Sequence, residues 1–188
     1  AMPLSAQSPL EDFKRDITLS GSNYVAYRGP QKQLTPAPKG YKPFYLSHYG
    51  RHGSRYMIGK QAYDVPYFSL LKAKQEGKLT AKGEETLAKV KLIREEAKGR
   101  DGELTPLGAL QHKGISERMM ERFPEIFAGK TNIVARSTGV IRCILSMENG
   151  LQQMLRMTPK LHIFHAASEH DMYYMNQGAR FLASLINS

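Results

Sequence analysis

At 188 residues the chain is long enough for one domain with a packed core, or for part of a larger one. Its 41% hydrophobic and 23% charged residues are ordinary for a globular protein. No apolar run approaches the roughly 18 residues that cross a bilayer, so no membrane span is expected. The balance of 27 Lys and Arg against 17 Asp and Glu gives a formal charge of +10, which favours anionic partners: nucleic acid, anionic membrane surfaces or phosphorylated small molecules. The charge is spread without dense basic blocks and does not choose among them. One cysteine, Cys143, excludes a disulfide within the chain.

Along the chain, Pro3-Leu4-Ser5-Ala6-Gln7-Ser8 resembles the small-residue end of a signal peptide cut after Ala6. It suggests a periplasmic or secreted protein, although an ordinary flexible terminus reads the same way. Residues 1–40 hold prolines at positions 3, 9, 30, 36 and 38 and predict an irregular arm, ahead of a domain that occupies residues 41–188. Phe44-Tyr45-Leu46, bounded by Pro43 and Gly50, predicts a buried strand within 41–47, followed by a loop rich in Gly, Arg and His over 49–59. Helices follow over roughly 61–75 and 81–98, the second opened by Thr80 and carrying Leu87, Val90 and Ala97 at helical spacing. A third has Thr105 as N-cap and Pro106 at its first position, with Leu107, Leu110, Ile115 and Met119 as its apolar stripe. Leu-Thr-x-x-Gly recurs at 79–83 and 104–108 as shared helix-start chemistry.

Asn132-Ile133-Val134-Ala135 predicts a second strand, then a helix over roughly 139–156, a third strand from Leu161 to Phe164 and a final helix over 177–186. Alternating strands and helices predict an α/β fold with a largely parallel sheet flanked by helices. In such sheets ligands gather in the loops at the carboxyl ends of the strands, here after 41–47 and 132–135.

The first of these loops reads Arg51-His52-Gly53-Ser54-Arg55. At average residue frequencies this spacing arises by chance in only about one in a thousand chains of such length. A phosphoryl group spreads charge over three oxygens, so a protein that attacks it must gather cationic donors around them. Arginine suits the task because its planar fork pairs two oxygens at once and stays protonated. Nearby arginines also disfavour an imidazolium, leaving a neutral His52 with a lone pair for attack on phosphorus. A charged surface loop with a capping histidine is the plain alternative. The second loop, Arg136-Ser137-Thr138-Gly139-Val140-Ile141-Arg142, leaves a strand and opens a helix whose N–H groups face an anion favourably.

The first loop resembles the R-H-G-x-R signature of the histidine phosphatase superfamily. The second resembles the R-S-T-D-x-x-R stretch of its histidine acid phosphatase branch, which includes phytases and multiple inositol polyphosphate phosphatases. Gly102-Glu103-Leu104-Thr105, with Gly108, Gln111 and His112, is similar to the segment between them, and the likeness spans about residues 41–180. It implies a phosphoglycerate mutase-like sheet domain of which this chain is the N-terminal part, without the helical cap and the later strands. It also implies that His52 becomes a phosphohistidine, that Arg51, Arg55 and Arg142 hold the phosphoryl oxygens beside Ser54, and that no metal or organic cofactor takes part. Two positions depart from the branch: Met57 stands where proline is frequent, and Gly139 replaces the usual aspartate.

The other histidines fit a plainer role. His48 ends the first predicted strand and suits a structural or supporting place, and His112 reads as a helix-face residue. His162 and His165 fall on opposite faces of a strand and lack further ligands for a metal. Ser168-Glu169-His170-Asp171 imitates the family's second pair, whose acid protonates the leaving oxygen. It follows the third strand directly, however, whereas that pair belongs much later in the fold. The resemblance therefore implies an enzyme that draws its proton donor from a missing C-terminal half. A three-stranded remnant would leave an open edge suited to self-association or to that half. The charge suits an inositol polyphosphate as substrate. Two rivals stay open: a phospholigand-binding module without turnover, and a nucleic-acid-binding domain, the latter not favoured.

Overall fold

The computed structural model describes residues 9–30, 32–128, 130–170 and Met175. Close contacts group the chain into two units, Ala1–Thr35 and Pro36–Ser188. The first unit holds a short helix, α1 (Pro9–Arg15), and a 3-10 segment, Ile17–Tyr24. Regular structure therefore enters a stretch whose prolines predict little of it. Pro9 opens α1, where its missing N–H has no helical partner to lose. Glu11 and Asp12 lie in the first turn and pair with Lys14 and Arg15 in the last, at 2.8 and 2.7 Å, which suits the helix dipole. The Asp16 carboxylate then accepts from the N–H and hydroxyl of Thr18 at 3.0 and 2.6 Å and starts the 3-10 segment.

The second unit contains α2 (Gln61–Gln75), α3 (Ala81–Glu96), α4 (Pro106–Arg122), β1 (Asn132–Ser137), α5 (Ile141–Met157) and β2 (His162–Ala167). Both Leu-Thr-x-x-Gly segments cap helices as expected: Thr80 accepts from Gly83 N–H and Thr105 from Gly108 N–H, each at 3.1 Å. The two strands are parallel, in register from Asn132↔His162 to Ser137↔Ala167, and α5 forms the crossover between them. The fold class is α/β.

The first predicted strand does not form. Residues 41–50 have no regular structure, and Phe44 is 93% exposed. A strand exists only as part of a ladder, and none of the described residues pairs with this one. The apolar run therefore records burial potential that the described residues leave unused. The predicted helix over 177–186 lies outside the described residues.

The core centres on Met120, Phe127, Leu151, Met154 and Leu161, with Ile133, Ala135 and Ile163 packed against it from the sheet. Along β1, Ile133 and Ala135 face inward while Val134 is exposed together with its neighbour Phe164 on the opposite face. On α4 the predicted stripe holds in its second half, where Ile115 is half-buried and Met119 packs against the core, and fails in its first. Gly108, Ser116 and Met120 are buried, whereas Leu107 and Leu110 are exposed. The cause is close helix packing: a Cβ at Gly150 of α5 would lie 2.8 Å from Ser116 Oγ, so small residues occupy the α4–α5 seam. The predicted face of α3 is buried at Leu87 and, just past the helix end, at Ala97.

Candidate active site

The segment after the Arg51–Arg55 motif pairs antiparallel with the residues that lead into α4. Tyr56 N–H donates to Glu103 O, Gly102 N–H to Met57 O and Thr105 N–H to Ser54 O, all at 2.9 Å. Met57, where the branch often has proline, uses the N–H that proline lacks: it donates to Tyr63 Oη at 2.7 Å and ties the loop to α2.

The motif backbone is held peptide by peptide. Gly53 N–H donates to Ser146 Oγ of α5 at 3.0 Å, and that hydroxyl donates to Arg142 O at 2.7 Å. Ser54 N–H donates to Gln111 Oε1 at 2.8 Å. Ser54 O accepts from both the N–H and the hydroxyl of Thr105 at 2.9 Å. Arg51 O accepts from His112 Nε2 at 3.0 Å. Two glycines permit this approach: a Cβ on Gly53 would lie 2.6 Å from Gly108 Cα, and one on Gly108 would run into Ser54 O. Gly53 thus makes room for the backbone of α4, in addition to any ligand.

His52 is half-buried, and its Nδ1 lies 2.8 Å from Gly53 O. A carbonyl only accepts, so in the neutral ring Nδ1 carries the proton and Nε2 keeps the lone pair. Burial pushes the pKa of His52 below the ordinary 6.5; the bond to Gly53 opposes this, and the charges of Arg142, Arg51 and Arg55 add to it. The expected neutral imidazole therefore has burial as its first cause and the arginines as its second.

Those arginines come from two loops about ninety residues apart in sequence and act on one ring. Arg51 is exposed. Arg55 is half-buried and donates to Tyr56 O at 2.8 Å. Arg142 sits at the second position of α5, with Nη1 in ordinary contact range, 3.4 Å, of where a Cβ of Gly102 would stand; the φ of +73° at Gly102 is what calls for glycine there. Arg142 Nε is buried without a hydrogen-bond partner among the described residues. Val140 caps α5 with no side-chain bond to its first N–H groups. The cluster can receive an anion and present a neutral nitrogen nucleophile to it. Arg136, by contrast, is an exposed residue of β1.

His48 lines an open apolar groove with Tyr45, Leu46, Met119, Phe123 and Ile126. His112 is more than a helix-face residue, since it holds the Arg51 carbonyl. Burial lowers its pKa, the bond to Arg51 opposes, and the charges of His48 and His52 add to the lowering. His165 bonds Glu148 of α5 at 2.6 Å, and His162 is exposed. His170 falls in a turn after β2, and Asp171 lies outside the described residues. Sequence reasoning passed over Ser146, which is only 2% exposed. Its one signal is a place one helical turn after Arg142.

No family profile and no curated protein matches the chain. Crystal structures of Bifidobacterium longum multiple inositol polyphosphate phosphatase do match. The complex with phosphate is 28% identical with a TM-score of 0.55, and the apo form is 28% identical with 0.53. The complex with inositol hexasulfate is 27% identical with 0.51. Each match covers 72% of this chain and 29% of the other, so the chain spans less than a third of the length of these neighbours.

Proposed function

We propose that this chain, which shares the fold of the phytase-like histidine phosphatases, carries the nucleophile and arginine clamp of a phosphomonoesterase acting on inositol polyphosphates. The observation that carries the reading is His52: Nδ1 is committed to Gly53 O, Nε2 has no hydrogen bond among the described residues, and three arginines act on the ring.

On this reading Arg51, Arg55 and Arg142 bind the phosphoryl oxygens, with Ser54 beside them. His52 Nε2 attacks phosphorus, forming an N–P bond as the P–O bond to the alcohol breaks. The departing oxygen takes a proton from an acid, and water then cleaves the phosphohistidine, releasing phosphate and restoring the imidazole. The arginines stabilise the charge that builds on the transferring group. Among the described residues the charges acting most strongly on His52 are all cationic, and the leaving-group acid is assigned to residues outside them. The net charge of +10 suits a densely anionic substrate.

Rapid quenching with an inositol polyphosphate should trap acid-labile phosphate on His52. Label on His48 or His170, or near-full turnover by His52→Ala, would overturn the assignment. That no carboxylate stands among the main charges on His52 within the described residues favours a second reading, a phospholigand-binding module without turnover. Saturable inositol hexasulfate binding with no hydrolysis of p-nitrophenyl phosphate, even with additional C-terminal polypeptide supplied, would select it.

A further inference from the structure

The peptide between Gly53 and Ser54 has two ends with two jobs. Its carbonyl receives His52 Nδ1–H at 2.8 Å, and its N–H donates to Gln111 Oε1 at 2.8 Å. The flanking peptides are held by other side chains, Ser146 on Gly53 N–H and Thr105 on Ser54 O. The plane that faces the imidazole is therefore turned by Gln111. Gln111 lies on the second turn of α4, whose first turn is pressed against the loop through Gly108.

The same side chain bears a cost. Its Oε1 must face the Ser54 N–H, because the reversed amide would set donor against donor. That orientation leaves Nε2 buried with no hydrogen-bond partner among the described residues. A stranded donor of this kind is unfavourable, and a leucine or methionine would fill similar space without it. Gln111 supplies an acceptor there, and among the described residues that acceptor bonds the peptide that orients His52.

We propose that Gln111 is a positioning residue for the nucleophile: by holding the 53–54 peptide it turns the Gly53 carbonyl onto His52 Nδ1 and keeps Nε2 open. This rests on the reading of His52 as the nucleophile. It adds that the ring's tautomer is controlled from α4, through one amide. An amide whose N–H is bonded is also a stronger acceptor at its carbonyl, so the two bonds reinforce each other.

The test is the tautomer of His52 in the full chain labelled with 15N-histidine, read from two-bond nitrogen–proton correlations at a pH where the ring is neutral. Wild type and Gln111→Glu, which keeps the acceptor, should show Nδ1–H alone. Gln111→Leu, which lacks an acceptor, and Gln111→Asn, whose oxygen falls short, should both show a mixture. Their affinity for inorganic phosphate should stay within about twofold, since the arginines are untouched, while kcat falls on the order of 10²-fold, the cost of a misplaced reacting group. Should Gln111→Leu fail to fold, Gln111→Asn against Gln111→Glu decides. An unchanged single tautomer in the Leu and Asn variants overturns the proposal, as does parallel loss of tautomer, phosphate binding and thermal stability. Absence of phosphohistidine in wild type, with the tautomer still set by residue 111, would overturn the nucleophile and leave the orientation of His52 standing.

Discussion

Each side chain at the site has a different relation to charge, and the tests follow from that. Arg142 acts on His52, and its buried Nε lacks a partner among the described residues, whereas Arg136 is exposed on β1. Arg142→Ala should raise the barrier by roughly 2–4 kcal/mol, as loss of a charged hydrogen bond to the transferring group does, while Arg136→Ala stays near wild type. Equal penalties in kcat/KM would place the pocket elsewhere. The pH dependence follows from the lowered pKa of His52. A nucleophile must be deprotonated, so kcat/KM should hold as pH falls past 6.5 and drop only below it, through the folded-state value. Folding moves the same way. His52 and His112 both have lowered pKa values, so they bind fewer protons folded than unfolded. Their contribution to stability is fully present above 6.5 and is lost as pH falls through the folded values. Denaturant midpoints measured on either side of pH 6.5 check the sign.

At the scale of elements, α3 and α4 begin with the same chemistry and diverge in use. Thr80 and Thr105 both accept from the N–H three residues on, but Thr105 also donates to Ser54 O in the motif loop. Replacing either by alanine should cost about 1 kcal/mol of cap stability. Only Thr105→Ala should also reduce turnover, and thermal melts beside kinetics separate the two effects. The loop's seat on α4 depends on two glycines, so Gly108→Ala should cost about 1–3 kcal/mol or more through overpacking against Ser54. A melting temperature unchanged within a degree would show that the loop can lift away freely. Helix starts were legible because a Thr-Pro cap is chemistry local to four or five residues. The stripe on α4 held at Ile115 and Met119 but was misread at Leu107 and Leu110, because Gly108 and Ser116, which sequence scores as weak, are the residues that let α5 and the motif loop approach.

Among the described residues of the second unit, a core under α4, α5 and the two strands carries both candidate loops. Leu151→Ala should destabilise it by about 2–5 kcal/mol, measured by denaturant unfolding. A ligand that engages the arginine cluster should raise the melting temperature, since at a hundred times Kd it stabilises by about 2.7 kcal/mol. Inositol hexasulfate should do so for wild type and fail for Arg142→Ala; an equal shift in both would mean it binds by diffuse charge. The sequence by itself determined the α/β class, the helices from α2 to α5, the strands β1 and β2, and the candidate trio Arg51, Arg55 and Arg142 around His52. Periodicity, caps and a compact cationic motif are local in the chain, so they can be read there. Tertiary structure alone decided that 41–47 stays unpaired among the described residues, because a strand depends on a neighbour that its own residues do not specify. It also decided that Ser146, Gln111, Thr105 and His112 hold the loop, because those bonds join positions about fifty to ninety residues apart. Only packing brings such positions within hydrogen-bond reach.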